Sequence, residues 1–258
     1  MANINRTQAA QAYRDRLFAG AESPLASTDP ELVEIWENFA FDEVASRTDI
    51  DERTRFVCIL AALMGCQGTD LFREMVPAAL NAGVTPVELK EIVYQGVDYL
   101  GMGRVYPFVR IASDVLDEKC IDQPLEPRST TTRETRLAAG SQAQVDIFGD
   151  GMKGFAESGP AERRHINQWL AANCFGDFYT RKGLDLRERE LITFCFIAAQ
   201  GGCEPQLTSH AGGNMAMGNS RAFLIGVVSQ LVPYLGYPRS LNALTCIDNA
   251  ARKRGELD

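Results

Sequence analysis

Apolar residues recur along this chain at three-and-four spacing, the period of a helix with one buried face. Leu89, Ile92, Val93, Val97 and Leu100 follow that spacing after Thr85-Pro86-Val87-Glu88, and Leu191, Phe194, Ile197 and Ala198 follow it after Asp185-Leu186-Arg187-Glu188. Both leading segments carry helix-start chemistry. A Thr or Asp side chain can accept from the first turn, and a Glu three residues on can reach back to the cap's own N–H. Proline at the first helical position, as in Asp29-Pro30-Glu31 and Thr85-Pro86, is tolerated because that position's N–H has no partner inside the helix. No run of β-branched residues alternates with period two between hairpin turns. The pattern therefore predicts an all-α fold of about ten to twelve helices.

One stretch breaks the pattern. Lys119 to Thr132 contains Pro124, Pro127 and Ser129-Thr130-Thr131-Thr132, which cannot continue a helix. The segments on either side of it resemble each other. At a shift of 134, Arg47 meets Arg181, Ile50 meets Leu184, Asp51 meets Asp185, Arg53 meets Arg187 and Arg55 meets Arg189. At a shift of 135, Gly83 meets Gly218, Leu89 meets Leu224, Gln95 meets Gln230, and Tyr99-Leu100-Gly101 meets Tyr234-Leu235-Gly236. These matches describe a tandem duplication: an N-terminal repeat over residues 1–122, a linker over 123–132 and a C-terminal repeat over 133–258. Two such units pack most simply about a pseudo-twofold axis, each burying a face that the other supplies.

Composition narrows the partners. With 26 Lys and Arg against 34 Asp and Glu the net charge is −8, the wrong sign for a phosphate-binding surface, so nucleic acid is not expected as a partner. The longest apolar run, Leu191 to Ala199, is about half the length of a membrane span and is interrupted by Thr193. Met1 to Gly20 has no apolar signal core. The expectation is a cytoplasmic protein with no membrane partner. Seven cysteines without a CxxC pair indicate neither a disulfide scaffold nor a metal site, and the chemistry considered below needs no cofactor.

Only two histidines are present, His165 and His210. His165 has no chemical neighbours in sequence and reads as a surface or core residue. His210 has more around it. If Asp185 to Gln200 forms one helix and Pro205 to Met217 the next, Glu190 lies about 15 Å before the Gly201-Gly202 break and His210 about 9 Å after it, so an antiparallel hairpin brings the two together. Gln206, His210 and Asn214 share one helix face, and Gln206 is placed to orient the imidazole. The plainer readings are a buried, satisfied histidine and, for Glu190 within Arg187-Glu188-Arg189-Glu190, a solvated helix face. In the first repeat Glu190 corresponds to Phe56 and His210 to Met75, so any site belongs to the second repeat, with the first as scaffold or pocket wall.

The segments Leu184-Asp-Leu-Arg-Glu-Arg-Glu-Leu-Ile192, Gly201-Gly-Cys-Glu-Pro-Gln-Leu-Thr-Ser-His210 and Tyr234-Leu-Gly-Tyr-Pro238 together resemble the carboxymuconolactone decarboxylase family, which includes the alkylhydroperoxidase D proteins. The resemblance implies an all-helical oligomer, a trimer for a tandem chain, acting on a small-molecule substrate. It implies decarboxylation of a carboxylated lactone or related ring acid, with His210 as proton donor, Glu190 setting its charge and geometry, Gln206 its orientation, Arg221 anchoring the acid, and Tyr234 lining the pocket. Cys203 stands where the alkylhydroperoxidase D branch has the first cysteine of its CxxC, but Gln206 replaces the second. A thiol-dependent peroxidase or disulfide-exchange protein using Cys203 is the alternative, and a non-catalytic ligand-binding oligomer is the third.

Overall fold

A computed structural model of the chain describes residues 4–257. Twelve α-helices and no strand are found among them: α1 (Gln8–Phe18), α2 (Pro30–Asn38), α3 (Glu52–Gly65), α4 (Thr69–Asn81), α5 (Pro86–Leu100), α6 (Met102–Glu118), α7 (Arg136–Phe148), α8 (Arg164–Trp169), α9 (Leu186–Gln200), α10 (Glu204–Ala216), α11 (Arg221–Leu235) and α12 (Tyr237–Arg254). The two starts read from the sequence are capping boxes, with Thr85 and Glu88 at α5 and Asp185 and Glu188 at α9 bonding reciprocally. Arg53 ties the two boxes together by pairing with both Glu88 and Glu188.

The duplication is visible element by element. Helices α2 to α6 recur as α8 to α12 at shifts of 134 and 135. Helix α2 runs on into a π-helical segment, Phe39–Val44, and α8 does the same in Leu170–Phe178. Helix α1 recurs as α7. Its buried Ala10, Tyr13, Arg14 and Leu17 match the buried Gly140, Ala143, Gln144 and Ile147 at a shift of 130. Paired glycines make the tight turns: Gly83 and Gly218 have φ of 96° and 93°, and Gly101 and Gly236 have 78° and 74°. Those left-handed values are open to glycine at no steric cost.

Helices α3 and α9 form the centre. Both are buried on all sides, over Arg55–Gly65 and Arg189–Ala199, which explains why neither shows a clean amphipathic stripe. They pack against each other closely enough that a Cβ on Gly65 would lie 2.6 Å from Ala199 Cβ. The repeats then exchange arms across this pair. Helix α5 of the first repeat packs on the second π segment, and α11 of the second repeat packs on the first π segment. Gln95 donates across to the Arg189 carbonyl at 2.8 Å, and its mate Gln230 donates across to the Val44 carbonyl at 2.6 Å. No helix among the described residues is long and apolar enough to cross a membrane.

Candidate active site

Glu190 lies one turn into α9 and His210 in the middle of α10, and the hairpin between these helices brings them into contact. His210 Nδ1 is 2.9 Å from Glu190 Oε2. The carboxylate is fully buried and the imidazole nearly so, with 11% of the side chain exposed. Gly213, one turn after His210, makes the approach possible. A Cβ there would sit 2.6 Å from Glu190 Oε2 and 2.9 Å from the Phe148 ring. Asn214 locks the two helices by donating to both the Glu190 and the His210 carbonyls at 2.8 Å, and it accepts from Asn219 at 2.9 Å.

The second carboxylate oxygen ends a chain of buried donors. Tyr179 donates to Glu190 Oε1 at 2.9 Å. Its hydroxyl proton is thereby used, so its two other partners, Tyr99 at 2.8 Å and Thr193 at 2.6 Å, must donate to it. Behind them, Gln95 donates to Thr193 at 2.9 Å, and the Cys174 thiol donates to Tyr99 at 3.6 Å. Every proton in the network points toward Glu190. Burial holds both Tyr99 and Tyr179 well above the ordinary phenol range, with the Glu190 charge adding to the effect, so both stay neutral donors. Such a network fixes the carboxylate, which in turn fixes the imidazole ring. Tyr99 and Phe148 meet that ring edge-on, with centroids 5.5 and 5.4 Å away.

With Nδ1 held by Glu190, Nε2 is the nitrogen left for chemistry. Phe148 and Gly213, together with Ser209, Gly212 and Arg254, also line a cavity of 440 Å³, of whose wall His210 itself is not a part. Among the described residues no group of three acidic, His or Cys side chains could hold a metal.

Of the residues singled out in the sequence, Glu190, His210 and Asn214 come together, and the other candidates do not join them. Gln206 is exposed, and no hydrogen bond joins it to His210; Glu190 holds the nitrogen it was expected to orient. Arg221 is paired with Asp248 on α12 at 2.6 Å. Cys203 caps α10 and lies 3.2 Å from the Gln200 amide, two helical turns from His210. Tyr234 packs edge-on against Trp36 in the first repeat, at 5.7 Å. The tyrosine at the histidine is its mate, Tyr99, because α5 and α11 each cross to the other repeat. His165 is exposed, edge-on to Trp169 at 4.8 Å. Sequence reasoning passed over Tyr179, Thr193 and Cys174, which follow no motif. It also passed over Gly213, whose mate Ala78 offered a signal: the first repeat has no carboxylate to accommodate at that point.

Two helical repeats about a shared central pair define a tandem-repeat helical protein, with a buried carboxylate–imidazole contact in its second repeat. The carboxymuconolactone decarboxylase family model matches residues 30–114 and 165–249, and the chain belongs to that family. The fold is also that of a crystal structure from Burkholderia xenovorans LB400, of a protein provisionally named as a gamma-carboxymuconolactone decarboxylase subunit. That protein is 23% identical to this chain, and the match has a TM-score of 0.53 and covers 95% of this chain and 98% of that one. None of the curated proteins compared matches the chain.

Proposed function

We propose that the protein is a carboxy-lyase acting on a small carboxylated lactone or related ring acid, with His210 as the proton donor. The observation that carries this reading is the 2.9 Å contact between His210 Nδ1 and the fully buried Glu190, which holds the ring and leaves Nε2 as the nitrogen not engaged by the carboxylate. In the reaction the bond between the carboxylate carbon and the ring breaks. CO2 leaves, and the electron pair passes into the conjugated lactone as an enolate. The protonated imidazole then gives its Nε2 proton to carbon and regains one from water. Glu190 keeps the ring aligned and stabilises its positive charge, while Tyr99, Tyr179 and Thr193 act as positioning residues for Glu190. Arg254 lines the cavity and Arg221 does not, so Arg254 is the better placed to meet the substrate carboxylate, although each guanidinium is paired, with Glu256 and Asp248 respectively.

The peroxidase alternative gains no support from geometry. The thiol in contact with the network is Cys174, and burial, followed by the nearby Asp98 charge, pushes it well above the ordinary thiol range.

The test is a screen of carboxylated lactones for CO2 release, run in D2O. Wild type is expected to release CO2 and to leave one solvent deuterium on the product carbon, and His210→Gln is expected to do neither. CO2 release that His210→Gln leaves intact would sink the assignment.

A further inference from the structure

The first repeat holds a cavity of 790 Å³, larger than the 440 Å³ one lined by Phe148 and Gly213 in the second. Phe18, Leu25, Val33, Trp36, Leu71 and Met75 give it a mainly apolar wall. Two of these residues are repeat mates of the His210 site: Met75 matches His210 at a shift of 135, and Phe18 matches Phe148 at 130. The duplication thus placed an apolar hollow where the other copy has its acid–base centre. Volume in the range of about 300–1,000 Å³, apolar walls and a few convergent polar groups are the features of a small-molecule site.

The polar groups select the ligand's charge. Arg14 is buried on the cavity wall and bonded to Glu37 and the Ala21 carbonyl. Its Nε has no hydrogen-bond partner, and the Glu22 carboxylate stands 3.6 Å from it. A buried N–H without an acceptor is costly, and a ligand oxygen relieves that cost. Four carboxyl groups (Glu22, Glu37, Asp70 and Glu74) line the cavity against two guanidinium groups (Arg14 and Arg73), so an anionic ligand is disfavoured. Burial raises the Glu74 carboxyl above the ordinary range.

We propose that this cavity binds an uncharged ring compound bearing a hydrogen-bond acceptor, with the ring between Phe18, Trp36 and Met75 and the acceptor turned toward Arg14. The site is separate from His210, and its occupancy does not depend on the decarboxylase reading.

Nile red, an uncharged planar dye with a carbonyl, is the probe. The chain has two tryptophans, Trp36 and Trp169, so Trp169→Phe leaves Trp36 as the sole reporter. Saturable quenching of Trp36 at one dye per chain is expected, with a dissociation constant of about 10 µM. The anionic dye anilinonaphthalene sulfonate should bind about tenfold more weakly. Leu71→Trp fills the hollow and Leu32→Asp adds charge at its exposed edge. Each should weaken Nile red by about tenfold or more with the circular dichroism spectrum unchanged, and His210→Ala should leave binding as it was. Three results overturn the proposal: no saturable quenching, quenching indifferent to both substitutions, or dye loss as protein concentration rises in step with self-association. The last would assign the hollow to a second copy of the chain.

Discussion

The two repeats share helices, turns and a π-helical segment in the same order, yet they fill equivalent positions with opposite chemistry. In the second repeat Glu190, His210 and Gly213 allow a carboxylate and an imidazole to meet under a roof of tyrosines. In the first, Phe56, Met75 and Ala78 occupy those places, all buried, and the aromatic rings of Tyr13, Phe18, Trp36 and Phe41 pack together around Phe41. The first repeat places buried charge at other positions, among them Glu37 with Arg6 and Arg14, and Glu91 with Arg181 and Arg189. The backbone therefore does not decide the chemistry. A buried carboxylate is tolerated where Tyr179 and His210 bond its two oxygens, and where those partners are missing the position becomes apolar.

The sharpest break in this comparison is loss of the acid–base pair. His210→Gln and Glu190→Gln should each lower the rate of CO2 release by roughly 10²–10⁴-fold, the ordinary worth of a positioned proton donor. Met75→Leu and Phe56→Leu, the same positions in the first repeat, should change it by less than about twofold. Steady-state rates with thermal melts on all four variants decide the matter. An equal loss from Met75→Leu would mean that the first repeat takes part in the chemistry.

The first repeat nonetheless reaches into the second through Tyr99. Tyr99→Phe removes one of the two donors to Tyr179 and should lower kcat by about tenfold, equivalent to about 1.4 kcal/mol, with KM little changed. Tyr234→Phe, the mate that faces Trp36, should leave kcat within about twofold. If the two variants behaved alike, the exchange of arms would carry no functional weight.

That exchange also marks how far the sequence could be read. Periodicity, caps and the 134/135 shifts were enough for the helices and the duplication, because these depend on neighbours along the chain. Glu190 and His210 were legible because a single helical hairpin joins them. Tyr234 was chosen over Tyr99 on the premise that a site built by one repeat is lined by that repeat. Only the three-dimensional crossing of α5 onto the second π segment places Tyr99 at the ring. Tyr179 follows immediately on that π segment, and sequence spacing based on a 3.6-residue turn does not predict where a π-helical stretch aims the next side chain.

The glycine pair in α10 tests the packing half of the comparison. Gly213→Ala drives a Cβ into Glu190 and Phe148 and should cost roughly 1–3 kcal/mol of stability, with a displaced imidazole and lower activity. Gly212→Ala, where nothing lies within 4 Å of the added carbon, should be neutral or stabilise by up to about 1 kcal/mol. Urea unfolding of both variants gives the difference directly. Equal effects would show that Gly213 is present for helix flexibility and not for the carboxylate.

The smallest expected effect lies at Asp98, beside Tyr99, whose mate in the second repeat is Pro233. Burial pushes the Asp98 carboxyl up to about 7, with Asp177 adding to the shift and Cys174 opposing it, and its Oδ2 has no hydrogen-bond partner. Between the ordinary value of 3.8 and about 7 the folded chain keeps a proton that the unfolded chain has lost. Stability must therefore fall as pH rises through that window, and the full penalty applies above it. Asp98→Asn removes the ionisation. It should match wild type near pH 4 and exceed it above pH 7 by roughly 1–2 kcal/mol, a figure reduced for the partial exposure of the residue, or a few degrees in Tm. Melts at both pH values read the difference, and a gain of equal size at each would mean that the charge of Asp98 costs the fold nothing. Pro233 cannot carry such a charge, so a confirmed gain would show that the first repeat tolerates an unpaired carboxyl at a position where the repeat with Glu190 and His210 has none.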